Sequence, residues 1–397
     1  MNVILFDGDS HQRLLPLTYT RPVGNLRIGI LTINEKWEKA LNSTVSYATE
    51  EYLSQKFTLN IGSNNILING GLCPTKNVIQ EILNLKEGEA LCSGEDVLAI
   101  RLNEEQTQSF LSNYSLDGYV VKEYTEEPLL VKYPWDLFAK NGEALELDFK
   151  VLTDGRTSAS LSDSNTIIGD QVFVEEGASV EGAILNSKTG PIYIGKNAQV
   201  MIGSLIQGGL ALCEHATLKM GAKVYGPTTI GPYSKAGGEI SNSIIYGYSN
   251  KGHDGFIGNT VIGEWCNLGA DTNTSNLKNN YSKVKLWNYE SGRFKDTGLQ
   301  FCGLVMGDHS KCGINTMFNT GTVVGVSCNI YGAGFPRNFV PSFAWGGAGG
   351  MMEFRYPKAA DVAEAMMARR SLEFDEKEQH IMKSVYENTA NFRQNLK

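Results

Sequence analysis

From Ile194 onward an aliphatic residue returns at every sixth position: Ile194, Val200, Ile206, Leu212, Leu218, Val224, Ile230. The same beat runs upstream through Ile168, Val174 and Val180, and downstream through Ile262 and Leu268, then Phe318, Val324 and Ile330. A small residue follows four positions later in most cases, as at Ala198, Ser204, Ala216, Ala222 and Thr228. Glycine often follows directly, as in Ile194-Gly195, Ile230-Gly231 and Ile262-Gly263. A period of six matches neither the 3.6 of a helix nor the 2 of a plain strand. It matches a triangular solenoid, each side a short strand and a tight corner, with the aliphatic residue on the axis and the small one at the turn. Hexapeptide repeats of this kind predict a parallel β-helix, here over residues 160–340.

A chain of 397 residues is long enough for two or three domains, and an apolar share of 42% supports a sizeable core. The net charge of -8 offers no basic field for nucleic acid, and no apolar run approaches the ~20 residues that span a bilayer. The opening Met1-Asn2-Val3-Ile4-Leu5-Phe6-Asp7 turns acidic too early for a signal peptide. The seven cysteines show no CxxC and no paired framework, which predicts reduced thiols and a cytoplasmic setting.

Residues 1–150 lack the beat and alternate strand and helix patterns: Val3–Phe6 as a buried strand, a helix near 34–42, a strand at 66–68 and a helix near 75–85. An α/β layer follows, Rossmann-like in class. Tyr133-Pro134-Trp135-Asp136-Leu137-Phe138 predicts the start of a linking helix, proline being tolerated in a first turn. Residues 151–340 are the β-helix. Within it, Asn276 to Gln300 is a polar stretch expected to leave the coil as a loop. Residues 341–397 form a tail whose helical spacing over 358–393 predicts a cap on the open end of the coil.

The segment LFDGDSHQRLLPLTYTRPVGNL resembles the signature of sugar-1-phosphate nucleotidylyltransferases. Arg13-Leu14-Leu15-Pro16-Leu17-Thr18, with Arg21-Pro22 beyond it, carries the match. The resemblance implies nucleotide contacts from Gly8, Arg13 and Arg21, and Mg²⁺ bridging the phosphates. Asp7 and Asp9 are the nearest metal candidates, although their side chains could equally cap the loop. The family's GxGTR reads Gly8-Asp9-Ser10-His11-Gln12-Arg13, its lysine after proline is Val23, and its Gly-Asp metal motif reads Asn69-Gly70-Gly71-Leu72.

The second resemblance lies in the coil. Lys251-Gly252-His253-Asp254-Gly255-Phe256-Ile257-Gly258, then Val261 to Ala270 and Thr272 to Asn276, is similar without a gap to the acetyltransferase half of the GlmU family. That family joins a sugar-1-phosphate nucleotidylyltransferase to a glucosamine-1-phosphate N-acetyltransferase built on a left-handed parallel β-helix. Archaeal members match further, into Gly307-Asp308-His309-Ser310-Lys311-Cys312-Gly313. The resemblance implies that His253 is the general base, titrating near working pH. It also implies sugar or acetyl contacts from Asn267 and Asn276, phosphate contacts from Lys283, Lys285 and Lys235, and an acetyl-CoA contact at Gly313. A homotrimer is implied in the same way. Phe256 stands where bacterial members have tyrosine, and Ser241-Asn242 where they have two lysines.

A lone corner histidine could instead make a structural hydrogen bond, and His309 lies in a similar corner. His11 and His215 show no supporting neighbours in the sequence. The leading expectation is acetyl-CoA-dependent N-acetylation of glucosamine-1-phosphate, then uridylyl transfer to give UDP-N-acetylglucosamine. Two alternatives stay open: a glucose-1-phosphate thymidylyltransferase-type enzyme, and an acetyltransferase whose N-terminal domain binds nucleotide or sugar phosphate without catalysis.

Overall fold

A computed structural model of the chain describes residues 2–396 and divides it into two compact units. The first contains most of residues 1–133. The second runs from Pro134 onward and includes two short earlier segments, Leu15–Tyr19 and Arg27–Ile30.

The first unit is an α/β layer around one six-stranded sheet. Its order is Val45–Ala48, Asn2–Phe6, Asn65–Asn69, Asp96–Leu102, Glu89–Ser93, Val120–Glu123. The first three strands are parallel, whereas Asp96–Leu102 runs antiparallel to both of its neighbours. Parallel strands need helical crossovers, and the helix Ile33–Leu41 supplies one. It starts at a capping box in which the Thr32 and Glu35 side chains satisfy each other's backbone N–H groups. Ile4, Phe6, Leu67, Ile100 and Phe110 form the core on one side of the sheet.

The second unit opens with the helix Pro134–Thr153, proline in its first turn as predicted. Asn141 is buried on it and joins two backbone groups and a hydroxyl: its Oδ1 accepts from Gly29 N at 2.7 Å and Thr229 Oγ1 at 3.2 Å, and its Nδ2 donates to Pro227 O at 3.1 Å. Beyond it stands the parallel β-helix. Its first face is the six-stranded stack from Thr166–Ile168 to Phe256–Gly258, continued by the pair Asn273–Thr274 and Met317–Phe318. The second face has nine strands, from Val172–Val174 to Phe339–Val340. The third runs from Ser179–Val180 to Ala344–Gly347 and ends in a hairpin with Gly350–Glu353.

The six-residue beat is the axis of this prism. Val174, Val180, Ile194, Val200, Ile206, Leu212, Leu218, Val224, Ile230, Ile262, Leu268, Phe318, Val324 and Ile330 all belong to one buried cluster. Ile168 is the exception, because its neighbour Ile167 pairs with interior Leu185 and Ile168 is turned outward. Corners need backbone in the left-handed region, so the turn from second to third face uses Asn197, His215, Tyr233, Tyr248, Trp265, His309, Ser327 and Phe343, all with φ between 53° and 62°. Several are bulky residues that rarely adopt this conformation.

The insertion is more ordered than a polar loop. It carries an antiparallel hairpin, Lys285–Asn288 with Arg293–Asp296. Trp287 stacks on Phe339 at 4.3 Å between ring centroids, and Tyr289 meets Phe339 and Phe392 edge-on. Phe392 belongs to the tail, which carries helices Tyr356–Ala368 and Glu376–Asn388; Arg370, just past the first, donates to Tyr233 O at 3.2 Å on an earlier corner of the coil. Tyr386 packs edge-on against corner residue Phe343, and Leu396 reaches the axis cluster.

Candidate functional site

Successive strands on the third face place one residue outward and the next on the axis. The outward column reads Lys235, Asn250, Asn267, Lys311, Asn329 from coil to coil, with about 4.8 Å per step. Lys235 and Asn267 therefore share one column, two coils apart, both exposed. Three residues past Asn250 the chain turns from third to first face, and His253 occupies that turn.

His253 is exposed, and among the described residues no side chain hydrogen-bonds its ring. Its corner, Gly252-His253-Asp254-Gly255, is tight. A Cβ on Gly255 (φ +113°) would stand 2.2 Å from Thr272 O. The glycines entering this turn stack as an edge: Gly237 under Gly252, and Gly269 under Gly313. A Cβ on Gly269 would lie 2.4 Å from the Gly313 carbonyl carbon, whereas one on Gly313 would meet only ordinary contacts with Tyr331 and Ile330. Gly313 thus lies on the same edge as His253, two coils further on.

Asn276 is placed differently, where the first face ends. Its Nδ2 donates to Asn259 Oδ1 at 2.9 Å. The Phe256 ring and the Asn276 amide both lie 2.6 Å from the point where a Cβ on Gly258 would stand, so glycine is required there. Lys283 and Lys285 are exposed where the insertion hairpin begins, alternating with Val284 and Leu286, which are turned inward. Within one chain, His253, Lys235, Asn267 and Gly313 share the third face and its edge. Asn276, Lys283 and Lys285 do not.

One residue in this stretch escaped the sequence reasoning. Lys251 lies on the axis column, between Ala236 of the preceding coil and Leu268 of the next, and is fully buried. Its ammonium donates to His253 O at 2.5 Å, Asp254 O at 3.1 Å and Gly237 O at 3.3 Å. Burial pulls its pKa down to about 8, with Asp254, Cys312 and Asp271 opposing. Between pH 8 and the ordinary lysine value of 10.5, the unfolded chain keeps a proton that the folded chain has lost. Stability therefore rises with pH across that window. Denaturant unfolding of wild type and Lys251→Leu at pH 7.5 and 9.5 is expected to show wild type gaining on the variant; a constant difference would refute the depressed ionisation.

His309 belongs to another corner, from second to third face, and is buried. It ends a ladder of rings in which His215, Tyr233, Tyr248, Trp265 and His309 stack with centroid spacings of 4.6, 5.1, 4.3 and 6.2 Å. Its geometry is that of a packing residue. His215, without partners in sequence, has Tyr233 here.

In the first unit the loop after the first strand is latched from within. Buried Asp7 accepts from Val23 N at 2.9 Å and Thr49 Oγ1 at 2.6 Å, and contacts His11 Nδ1 at 3.2 Å. Tyr52 OH lies 3.5 Å from His11 Nε2. The expectation that His11 lacks neighbours is thus corrected: Asp7 is one helical turn away, and Tyr52 is brought in by the fold. Gly8 turns at φ +48°, Arg13 pairs with exposed Asp9 at 3.4 Å, and Arg21 is buried. A Cβ on Gly71 would stand 2.3 Å from Val131 O, so no side chain fits where the family's Gly-Asp metal motif reads Gly70-Gly71. No group of three or more His, Cys, Asp or Glu that could hold a metal ion occurs among the described residues. Asp7 already accepts from Val23 N and Thr49 Oγ1, whereas Asp9 is exposed and its 3.4 Å contact with Arg13 is a surface pair, which leaves Asp9 open to a cation.

The fold and site define a hexapeptide-repeat transferase scaffold preceded by an α/β domain. Residues 3–157 match the family model described as sugar nucleotidyl transferase. The bifunctional protein GlmU of Methanocaldococcus jannaschii is 31% identical over 50% of this chain and 42% of its own length. That of Methanococcus vannielii is 29% identical over 83% of this chain and 69% of its own length. The first of these matches spans less than half of the relative. A solved UDP-N-acetylglucosamine acyltransferase from Campylobacter jejuni is 16% identical over 59% of this chain and 83% of its own, with a TM-score of 0.21. These similarities are to GlmU-like bifunctional proteins, with the sugar nucleotidyl transferase match confined to the first part of the chain and the hexapeptide coil following it. No helix among the described residues is long and apolar enough to cross a membrane.

Proposed function

We propose that this chain acts in sugar-nucleotide biosynthesis, its β-helix transferring the acetyl group of acetyl-CoA to the amine of glucosamine-1-phosphate. The observation that carries this reading is the exposed His253 on a glycine edge shared with Gly313, beside the outward column of Lys235 and Asn267. The amine attacks the thioester carbonyl while His253 removes its proton. The tetrahedral intermediate collapses, the C–S bond breaks, and the proton passes to the departing CoA thiolate. Lys235 would draw in the phosphate and Asn267 would hold the sugar, while the open edge at Gly313 would receive the acyl carrier. Asn276, Lys283 and Lys285 lie elsewhere on the chain, which fits a homotrimer that completes the site from a neighbouring copy. Such chemistry suits the cytoplasm.

For the first unit, uridylyl transfer to N-acetylglucosamine-1-phosphate is the proposed activity, with nucleotide contacts from Gly8, Arg13 and Arg21, because residues 3–157 match the sugar nucleotidyl transferase family model. Gly71, walled in by Val131 O, favours a second reading, a domain that binds nucleotide or sugar phosphate without catalysis. Thymidylyl transfer to glucose-1-phosphate is the remaining alternative. Two assays separate these activities. CoA thiol release from acetyl-CoA with glucosamine-1-phosphate is expected, and its absence would sink the acetyl-transfer reading. Pyrophosphate release from UTP with Mg²⁺ and N-acetylglucosamine-1-phosphate is expected; release only from dTTP with glucose-1-phosphate would point to thymidylyl transfer, and no release from any pairing would leave the first unit as a non-catalytic binding domain.

A further inference from the structure

The axis of a hexapeptide prism is a poor place for an ammonium group. The columns around Lys251 hold Leu218, Ala236, Leu268 and Cys312, and a lysine there loses its hydration entirely. A leucine at this position would simply continue the packing. The buried lysine is tolerated because its three N–H donors meet three carbonyl oxygens, Gly237, His253 and Asp254, at 3.3, 2.5 and 3.1 Å. Two of the three acceptors belong to the corner that bears the histidine. The third belongs to the equivalent corner one coil earlier.

That corner needs support. Gly252 and Gly255 flank His253 and Asp254, and glycine leaves the backbone more freedom than any other residue. Among the described residues, the 253–254 pair accepts one backbone hydrogen bond from a neighbouring coil, Asp271 N to Asp254 O at 3.0 Å. The His253 carbonyl accepts from Lys251. In the coils on either side Ala236 and Leu268 occupy the lysine's place and can donate nothing from their side chains.

We propose that Lys251 is a positioning residue for acetyl transfer: from inside the prism it clamps the His253 corner, holding the imidazole at one height on the coil edge. The proposal rests on His253 being the base. It requires no titration of Lys251, since a neutral amine still has two donors. Asp254, Asp271 and Cys312 are the ionisable neighbours that face it.

The test uses Lys251→Leu in the full-length protein. Leucine matches the column, and exchanging a buried charge for a well-packed apolar side chain is commonly neutral or stabilising. A melting temperature equal to or above wild type at pH 7.5 is therefore expected. With acetyl-CoA and glucosamine-1-phosphate, kcat is expected to fall about 10- to 100-fold, the scale of a misplaced catalytic group, with KM for acetyl-CoA within about twofold. Hydrogen exchange at residues 252–255 should speed up at least about tenfold, while the second-face strand at Ile192–Ile194 stays unchanged. Lys251→Arg, which keeps a cation but not the same three-way fit, should fall between the two and guards against a leucine variant that fails to fold. A structural role alone predicts the reverse, a lower melting temperature with wild-type kcat in the folded fraction, and that result overturns the proposal. Unchanged exchange at 252–255 overturns it as well. Because exchange is read without substrate, it judges the clamp even if the wild type proves not to acetylate this sugar, an outcome that would count against the functional reading instead.

Discussion

His253→Ala is expected to lower acetyl transfer by about 10²- to 10⁴-fold, the usual contribution of a general base, while leaving the melting curve where it was. The side chain is exposed and makes no hydrogen bond among the described residues, so its removal takes nothing from the fold. Surface changes of this kind stay within about 0.5 kcal/mol. His309→Ala is the informative partner, because that ring is buried and stacked on Trp265. It should cost stability and leave the rate per folded molecule near wild type. Purified variants assayed for CoA thiol release, with calorimetric melting in parallel, settle the assignment. If His253→Ala keeps its rate within about tenfold, the base lies elsewhere. If His309→Ala alone abolishes the rate without unfolding, the two histidines have been assigned the wrong way round.

Gly269→Ala and Gly313→Ala should behave as opposites although they sit one coil apart on the same edge. The added methyl at residue 269 would press on the Gly313 carbonyl carbon at 2.4 Å, its oxygen at 2.5 Å and Ile314 N at 2.5 Å. All three are backbone atoms, held by the ladder bonds Gly269 N to Cys312 O and Gly313 N to Ile330 O. Neither coil can yield without breaking pairing, so a loss of about 1–3 kcal/mol is expected, as for overpacked interiors. At residue 313 the methyl would find Tyr331 Cβ at 3.5 Å, an ordinary contact, so stability should hold. It would instead stand on the open edge proposed for the acyl carrier and raise KM for acetyl-CoA. Denaturant melts and acetyl-CoA titrations of both variants check this. Equal destabilisation would show that the edge is softer than its spacing implies.

Much of the solenoid was legible because its physics is periodic: one axis position per strand, one strand per six residues. The beat faltered where corners shorten. Ile230, Ile245 and Ile262 stack in one column although fifteen and seventeen residues separate them, where Ile194, Leu212 and Ile230 are spaced by eighteen. Lys251 hid inside that stretch. Lys251 is six residues before the axis residue Ile257, but an axis position is expected to be apolar, so spacing alone does not mark a lysine there. The insertion hid its hairpin in the same way. Val284, Leu286 and Asn288 alternate inward at period two, a strand signal masked by flanking lysines and asparagines. In the first unit the Asp7–His11 contact is local, whereas Tyr52 and Thr49 reach it through the pairing of the first two strands, which no spacing rule foretells.

The stacked rings at the second-to-third corner also make the molecule optically legible. Tyr233 and Tyr248 lie in a file that ends on Trp265 at 4.3 Å and His309 beyond it. Light absorbed by either tyrosine will be handed to the indole, and the parallel, asymmetric array will give a strong near-ultraviolet circular dichroism band. Trp265 stands in the coil directly after His253. The protein therefore carries a native chromophore on the coil next to its proposed active corner, and slippage of one coil against the next should change that band without any label being added.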